Sequence, residues 1–419
     1  MSVKTNVVIG SVAAAAVAAY AGLIALQTQK VGEFIEESKG RHAPFATEIK
    51  MGSGIFSRPL EIEAKYEGIP VLVWKGEVKF GLTPYAEVKN SHVNPAFLRA
   101  LLAEDLRYAR GTKADFEIKD FFKIRFSTFG KFEYSFYRSE PQSFDAGDLA
   151  CSLGEVQSKY AEPGNQVENN FSIGPTVCRA GRDVIKFAKQ SANLKLYQND
   201  DQHFAFSLNS EGVETGYGSL GAFSMLWTGT PEHGKDVTNV RQTLKLSLNE
   251  LATPFNPFGN DKLSLTWNTE ANAVAGVLPT PTELSAASES DEALEEYGIA
   301  LLHAFDKHGA DFNIETLKAS IGKQWAELNG ELKVPSGLEA KWNAAEDRGL
   351  YFPEDLKGEF TLKATPALVD MMTLFGALPP QASVYYFERE TDKETGKSVM
   401  TSKIKIEPQG VIANGVNLF

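Results

Sequence analysis

Apolar and charged residues alternate along much of this 419-residue chain, and no other feature of the sequence restricts the fold so strongly. In KADFEIKDFFKIRFSTFGKFEYSFYRSE, residues 113–140, aromatic and branched residues recur at every second position with charged residues between them. Successive side chains of a β-strand point to opposite faces, so such a segment predicts a strand with one buried and one solvated face. About a dozen such segments predict a mainly β fold with some α, in which an extended or curled antiparallel sheet carries a few packed helices.

The composition agrees with this fold class. The 27 Phe and 13 Tyr favour pleated, half-buried surfaces, and a hydrophobic content of 43% supplies the core of one large or two ordinary domains. The formal net charge is −12, and Lys and Arg are spread along the chain. Because such a protein repels polyanions, we expect no nucleic-acid partner.

The stretch Val7–Leu26, VVIGSVAAAAVAAYAGLIAL, carries no charge and follows a single Lys4. As a helix it would span about 30 Å, the hydrocarbon thickness of a bilayer. Two interpretations are open: an N-terminal transmembrane helix within residues 1–35, or a cleaved signal with Ala19-Tyr20-Ala21 at the cut. The apolar character continues to Leu26, which favours the anchor. Either interpretation exports the rest of the chain.

Small residues recur at every fourth position in this stretch, at Gly10, Ala14, Ala18 and Gly22. Such a ridge lets two membrane helices approach closely, so it indicates a helix-packing face and a homo-oligomer. An Ala-rich run produces the same spacing by chance, and both interpretations stay open.

The two cysteines, Cys151 and Cys178, flank a polar segment that is rich in turn-forming residues. In an oxidising compartment such a pair predicts a disulfide, and closure of this loop would stabilise the fold by roughly 3 kcal/mol. The alternative is a pair of unrelated buried thiols.

Helical spacing of apolar residues is confined to a few places beyond the N terminus. It predicts helices over 94–104, over 284–308 with a stop at Gly309, over 313–328 and over 366–378, whereas GELKVPSGLEAKWNA, 330–344, alternates and predicts strands.

Pro, Ser and acidic residues interrupt the strand pattern at 276–293. We therefore expect a β-rich domain at 36–280, including the disulfide loop, and a helix-containing segment at 281–419 that closes with β-strands.

Motifs of known chemistry are weak. GYGSLG, residues 216–221, has the glycine spacing of a dinucleotide-binding loop but lacks the helix that should follow it, so it predicts a turn or a bulge. The six histidines show no metal-binding spacing, and the sequence contains no nucleophile elbow. We therefore expect no catalytic residues, no metal and no cofactor. An enzyme whose site is assembled from distant residues stays open.

The remaining signal is apolar. The Phe-rich segment at 116–136 and the Met-rich segment DMMTLFGAL predict an apolar groove for a lipid tail or for an apolar segment of a partner. Its candidate residues are Phe122, Phe126, Met371, Met372 and Phe375. The alternative is that these side chains fill an ordinary core.

Both ends of the chain resemble a known family. The lysine-flanked apolar helix, the segment Gly54-Ile55-Phe56-Ser57 that leads into an alternating strand, and the closing Asn414-Gly415 are similar to the YdgA-like family of bacterial proteins, a domain of unknown function. This resemblance implies a Gram-negative envelope protein with a single pass through the inner membrane and its body in the periplasm. It implies no catalytic residues.

These observations lead to one main functional expectation. We expect a non-enzymatic scaffold or apolar-ligand (lipid) binding protein of the cell envelope, with membrane lipid around its N-terminal helix and a lipid or an envelope protein as partner. The alternatives are a self-assembling structural subunit and an enzyme with an unrecognised site.

Overall fold

The chain divides into two compact units, residues 1–191 and 192–419. The computed structural model describes residues 23–33, 45–66, 69–93, 116–146, 149–198, 200–216, 218–233, 238–252, 262–287, 290–374, 377–392 and 396–418. Several predictions lie outside these residues: the N-terminal anchor up to residue 22, the alternative cleavage site Ala19-Tyr20-Ala21, the ridge of Gly10, Ala14, Ala18 and Gly22, the helix at 94–104, and Phe375.

The first unit is built on an antiparallel meander. Its strands are β1 (Phe45–Met51), β2 (Ser57–Tyr66), β3 (Ile69–Lys79), β4 (Tyr85–Val93), β5 (Phe116–Phe126), β6 (Phe132–Ser139), β7 (Gln142–Ala146), β8 (Leu149–Leu153), β9 (Val156–Ala161), β10 (Gln166–Ile173), β11 (Thr176–Ala180) and β12 (Asp183–Phe187). Strands β1 to β6 pair in chain order, β6 then pairs with β9, and β9 pairs with β10. The mainly β, antiparallel fold class is therefore confirmed.

The two faces of this meander differ in chemistry, as the alternation predicts. The charged face carries ion pairs between neighbouring strands, such as Lys50 Nζ to Glu63 Oε1 at 3.2 Å and Lys75 Nζ to Glu61 Oε2 at 3.5 Å. Water screens exposed pairs of this kind, so this face gains little stability from them. The apolar face carries a buried cluster that includes Leu60, and its burial is the larger stabilising contribution.

A smaller antiparallel sheet in the first unit, β7-β8-β11-β12, contains the predicted disulfide. Cys151 and Cys178 lie directly opposite each other on β8 and β11, with their Cα atoms 4.1 Å apart and their sulfur atoms bonded. The predicted disulfide is therefore confirmed. The segment between the cysteines is not a loop, because its residues form β9 and β10, and Pro163 and Gly164 occupy only the turn between them.

The second unit continues the same antiparallel pattern. After β13 (Gln190–Tyr197), its strands are β14 (Asp200–Ser210), β15 (Val213–Thr215), β16 (Gly218–Leu220), β17 (Phe223–His233), β18 (Thr238–Leu251), β19 (Leu263–Val274), β20 (Ala310–Ile321), β21 (Gln324–Val334), β22 (Lys357–Ala364), β23 (Glu388–Thr391), β24 (Ser398–Glu407), β25 (Gly410–Ala413) and β26 (Val416–Asn417). The pairing order is β14-β17-β18-β19-β20-β21-β22-β24, and both β23 and β25 pair with β24. Because β19 pairs with β20, the strands on both sides of the expected boundary at 280/281 lie in one sheet.

The helices of the second unit are α1 (Pro281–Ala287), α2 (Asp291–His308), α3 (Leu338–Glu346), α4 (Pro366–Leu374) and α5 (Ala382–Tyr385). The start of α1 is a capping box, because Thr280 Oγ1 accepts from the Glu283 amide at 3.2 Å and Glu283 Oε2 accepts from the Thr280 amide at 2.9 Å. The α2 helix ends at Gly309, whose φ of 70° favours glycine. The helix predicted to stop at Gly309 is therefore confirmed.

Two predictions of secondary structure in the second unit are wrong. Residues 313–328 form parts of β20 and β21, because a bulge between Ile314 and Leu317 places two apolar residues three positions apart and imitates helical spacing. Residues 338–346 form α3 rather than a strand, and the Asp306 carboxylate of α2 accepts from the Glu339 amide at 2.6 Å in its first turn. Because this contact joins residues that are distant in sequence, no local sequence pattern predicts it.

Residues 23–33 of the first unit are also helical. The last residues of the apolar stretch Val7–Leu26 belong to this helix, and Ile24 is buried in the core of the first unit. Among the residues that the structure describes, none of the helices combines the length and the apolar character that a membrane crossing requires.

Candidate functional site

An open cavity of about 1190 Å³ lies on the apolar face of the first unit. Strands β1, β2, β3, β5, β6 and β9 contribute to its wall, together with the turn between β5 and β6 and the 23–33 helix. We call this cavity the apolar groove, and its wall is formed mainly by Ile62, Trp74, Phe122, Phe132, Tyr137 and Tyr160.

The strand register explains why these side chains meet. Ile62 of β2 lies opposite Trp74 of β3, and Phe122 of β5 lies opposite Tyr137 of β6. Tyr137 in turn lies opposite Ser158 of β9. Residues that are paired across antiparallel strands point to the same face, so these paired positions form one continuous wall.

The 23–33 helix packs against the sheet at one side of the groove. Ile24 and Val31 are buried in the core cluster of the first unit. Gln27 is fully buried, donates through Nε2 to the carbonyl oxygens of Gly81 at 2.7 Å and Thr128 at 2.6 Å, and accepts from the Gly81 amide at 3.0 Å. These bonds satisfy the buried amide and fix the helix on the strand turns below it.

Gly130 lets the helix and the β5–β6 turn approach closely. Its φ of 82° lies in the left-handed region, and an added Cβ would lie 2.9 Å from the Cβ of Lys30 and 3.1 Å from the Cα of Gln27. Both the backbone conformation and the space require glycine here.

A buried carboxylate holds one end of the groove wall in place. Asp120 of β5, only 5% exposed, accepts hydrogen bonds from the Ser91 amide and the Ser91 hydroxyl, both at 2.7 Å, and from Trp74 Nε1 at 2.9 Å. The Tyr137 hydroxyl donates to the same carboxylate at 3.3 Å. The polar tips of Trp74 and Tyr137 are thereby occupied, and their rings form the groove wall. Asp120 therefore acts as a positioning residue.

A bulge in β4 makes this arrangement possible. The pairing of β4 with β5 shifts between Lys89 and Ser91, and Asn90 adopts a φ of 51°. Asn tolerates this conformation better than most residues, and the bulge frees the Ser91 amide from the strand pairing. That amide is the one that donates to Asp120.

Two tyrosines of the wall have perturbed acidity. Burial, followed by the negative charge of Asp120, raises the pKa of Tyr137 to about 12. Burial, followed by a hydrogen bond to Glu162, raises the pKa of Tyr160 to about 12. Both phenols therefore keep their protons at neutral pH and act as hydrogen-bond donors.

Charged side chains line the opposite end of the groove. They are Lys30 and Glu33 of the helix, Lys131 before β6, and Glu162 after β9. Lys131 precedes Tyr137 by six residues along an extended chain, a distance of about 20 Å. The groove is thus apolar in the middle, bounded at one end by the Trp74 and Tyr137 rings that Asp120 holds in place, and charged at the other end.

The predicted groove residues do not all lie in this cavity. Phe122 lines the groove, whereas Phe126 is buried in the core cluster with 2% of its surface exposed. Met371 and Met372 are half-buried on α4 of the second unit, where the neighbouring Val369 packs in a cluster with Met400. Phe375 lies outside the described residues.

Sequence reasoning missed Trp74, Tyr137, Tyr160 and the four charged residues of the groove. The alternation contains a signal for Trp74, which has the parity of Val78 in β3, and for Tyr160, which has the parity of Val156 in β9. It contains none for Tyr137, because the other aromatic residues of β6 occupy positions of the opposite parity. The charged residues lie outside regular strands, where no periodic pattern marks them.

Within the described parts of the chain, no three His, Cys, Asp or Glu side chains are grouped so that they could hold a metal ion. Comparison of the chain with protein-family models, with curated proteins and with solved structures finds no match. The resemblance to the YdgA-like family stays a prediction.

Proposed function

We propose that this chain binds an apolar chain, such as a lipid acyl chain, in the apolar groove and has no catalytic role there. The observation that carries the proposal is the groove itself, an open cavity of about 1190 Å³ whose middle is lined by Ile, Phe, Trp and Tyr side chains. Small-molecule sites have volumes of about 300–1,000 Å³, so this groove has room for a ligand of lipid size.

The length of the groove supports an acyl chain as occupant. A bilayer core of about 30 Å contains two acyl chains end to end, so one chain extends for about 15 Å. The distance of about 20 Å from Lys131 to Tyr137 accommodates such a chain together with part of a headgroup.

The energetics favour exchange with a membrane. Each buried methylene contributes about 0.8 kcal/mol, whether it is buried in a bilayer or in a protein groove. A chain that moves from one to the other therefore changes its apolar free energy little, which suits a protein that takes up and releases lipid.

We also propose that the protein is tethered to a bacterial inner membrane with its body in the periplasm. Two features support this location: the uncharged stretch Val7–Leu26, whose last residues belong to the helix at the groove, and the Cys151–Cys178 disulfide, which is typical of an oxidising compartment.

Photocross-linking of the full chain in cells tests the proposal. Cells that express the chain are grown with a fatty acid that carries a diazirine and an alkyne, and cross-linked peptides are mapped by mass spectrometry. We expect labels on peptides that contain Trp74, Phe122 or Phe132. Peptides from residues 1–22 are left out of the comparison, since a membrane segment would be labelled in any case.

Adjacent residues of β9 supply a matched pair of variants. Ser158→Trp fills the groove and should lower labelling of these peptides about tenfold, because overpacking a site costs about 1–3 kcal/mol. Lys159→Trp adds the same ring to the opposite face and should leave labelling unchanged. Ala64→Trp fills the groove from β2 and repeats the test, with circular dichroism as the check of folding. Equal labelling in the filled and control variants would refute the proposal.

A further inference from the structure

We propose that the groove selects amphiphiles with a zwitterionic headgroup, one that joins a phosphate to an ammonium group. This inference rests on the proposed function, because it concerns the charged end of the same groove. It adds the chemical class of the ligand, which the apolar wall alone does not define.

The charged residues of the groove are balanced in sign. Two of them are cationic, Lys30 and Lys131, and two are anionic, Glu33 and Glu162. A groove for an anionic headgroup would carry an excess of positive charge, and a groove for a neutral headgroup needs neither sign. The combination matches a ligand that carries both.

Half of this set is already neutralised within the helix. Lys30 Nζ lies 2.6 Å from Glu33 Oε2, and Gln29 donates to Glu33 Oε1 at 2.9 Å. These hydrogen bonds lower the pKa of Glu33, so its carboxylate stays ionised and paired. The pair contributes no net charge toward a ligand.

The other two residues are available to a ligand. The Lys131 ammonium has no hydrogen-bond or ion-pair partner among the described residues. Glu162 accepts from the Tyr160 hydroxyl at 2.8 Å and, within the same part of the chain, has no cationic partner. One free ammonium and one carboxylate without a counter-ion therefore line the same end of the groove.

Lys131 and Glu162 lie at neighbouring ends of the paired strands β6 and β9. The Glu162 amide donates to the Glu133 carbonyl at 3.4 Å, so Glu162 lies beside the start of β6, two residues from Lys131. Lys131 supplies the charge-assisted hydrogen bond that a phosphate accepts. Glu162 accepts from a primary ammonium, and the face of Tyr160, whose ring centroid lies 5.7 Å from that of Phe132, suits a quaternary one.

Competition against the photoreactive fatty acid tests the inference on purified full chain in a neutral detergent. The competitors share one acyl chain length and are lysophosphatidylethanolamine, lysophosphatidylcholine, lysophosphatidylglycerol and an uncharged monoacylglycerol. We expect both zwitterionic lipids to reduce groove labelling at concentrations about 5- to 10-fold lower than the other two. If lysophosphatidylethanolamine reduces labelling at lower concentrations than lysophosphatidylcholine, the ammonium is hydrogen-bonded to Glu162. If lysophosphatidylcholine is the stronger competitor, the ammonium lies on the face of the Tyr160 ring.

Charge-removing variants assign the preference to the two residues. Lys131→Gln and Glu162→Gln should each abolish the advantage of the zwitterionic lipids and leave monoacylglycerol competition unchanged. The matched controls lie on the charged face: Lys123→Gln removes a cation that lies over the Tyr85 ring, and Glu133→Gln removes the partner of Arg125. Both controls should keep the preference.

The possible failures are distinguishable. If all four competitors act alike, or if neither charge-removing variant changes the preference, the headgroup inference is overturned and acyl-chain binding stands. If no competitor reduces labelling, including monoacylglycerol, the groove does not bind amphiphiles, and the proposed function fails together with the inference.

Discussion

Replacement of Asp120 should destabilise the first unit strongly, because its buried carboxylate accepts four hydrogen bonds at one end of the groove wall. The donors are the Ser91 amide, the Ser91 hydroxyl, Trp74 Nε1 and the Tyr137 hydroxyl. In Asp120→Asn one carboxylate oxygen becomes an amino group, which is itself a donor. The two hydroxyl groups can rotate and accept from it, but the Trp74 indole cannot.

The magnitude follows from this geometry. An unsatisfied buried donor costs about 1–3 kcal/mol, and hydrogen bonds to a charged acceptor contribute about 1.5–3 kcal/mol. Asp120→Asn orphans Trp74 Nε1 and weakens the two hydroxyl bonds, so we expect a loss of about 2–4 kcal/mol in the free energy of unfolding. Ser91→Ala removes one bond and leaves the Ser91 amide contact intact, so we expect a loss of about 1 kcal/mol.

Urea unfolding of the full chain, followed by circular dichroism of the strands, measures these losses. They are calculated from the urea concentrations at the unfolding midpoints, with the same dependence of the free energy of unfolding on urea concentration for every variant. Only the transition of the first unit is compared, because the two units need not unfold together. The double variant Asp120→Asn with Trp74→Phe should lose less than the sum of the single variants by about 1–2 kcal/mol, since the orphaned indole is gone. A loss for Asp120→Asn no larger than that for Ser91→Ala, or strict additivity in the double variant, would refute the reasoning.

Two further predictions concern pH and redox state. The folded pKa of Tyr137 is raised from 10.0 to about 12, whereas an unfolded chain ionises this phenol near its ordinary value. The protonated Tyr137 should therefore contribute its full stabilisation below pH 10.0. This contribution is lost, and the free energy of unfolding falls, as the pH rises toward about 12. Tyr137→Phe should remove one late-ionising phenol from the ultraviolet difference titration, and an unchanged titration curve would contradict the assignment. Cys151→Ser should lower the free energy of unfolding by about 3–4 kcal/mol, because it opens the disulfide loop. Wild-type chain treated with a reductant should match this variant in urea, and an unchanged midpoint in both would contradict the estimate.

The alternating pattern determined the class of the fold and the faces of most strands. Phe122 and Ile124 share a parity in the sequence, and both line the groove in the structure. The disulfide was also predictable, since Cys151 and Cys178 are the two cysteines of the chain. Local rules sufficed here because strand geometry and thiol chemistry depend on residue type and spacing.

Other elements depended on neighbours that are distant in sequence. The sequence predicts a strand where the α3 helix forms, because it gives no sign that Asp306 of α2 caps the first turn. It predicts a helix at 313–328, because the bulge at Ile314 becomes visible only when β20 pairs with its neighbours. Spacing alone cannot distinguish a bulged strand from a helix over so few residues.

The sequence by itself thus determined a sheet-rich chain with one apolar and one charged face, a disulfide, and an uncharged N-terminal stretch. Only the tertiary structure decided that part of the apolar face remains open as a groove between Asp120 and the charged residues Lys131 and Glu162. The reason is physical: periodicity assigns each side chain to a face, but whether that face is filled or left open depends on which distant element packs on it, here the helix fixed by Gln27.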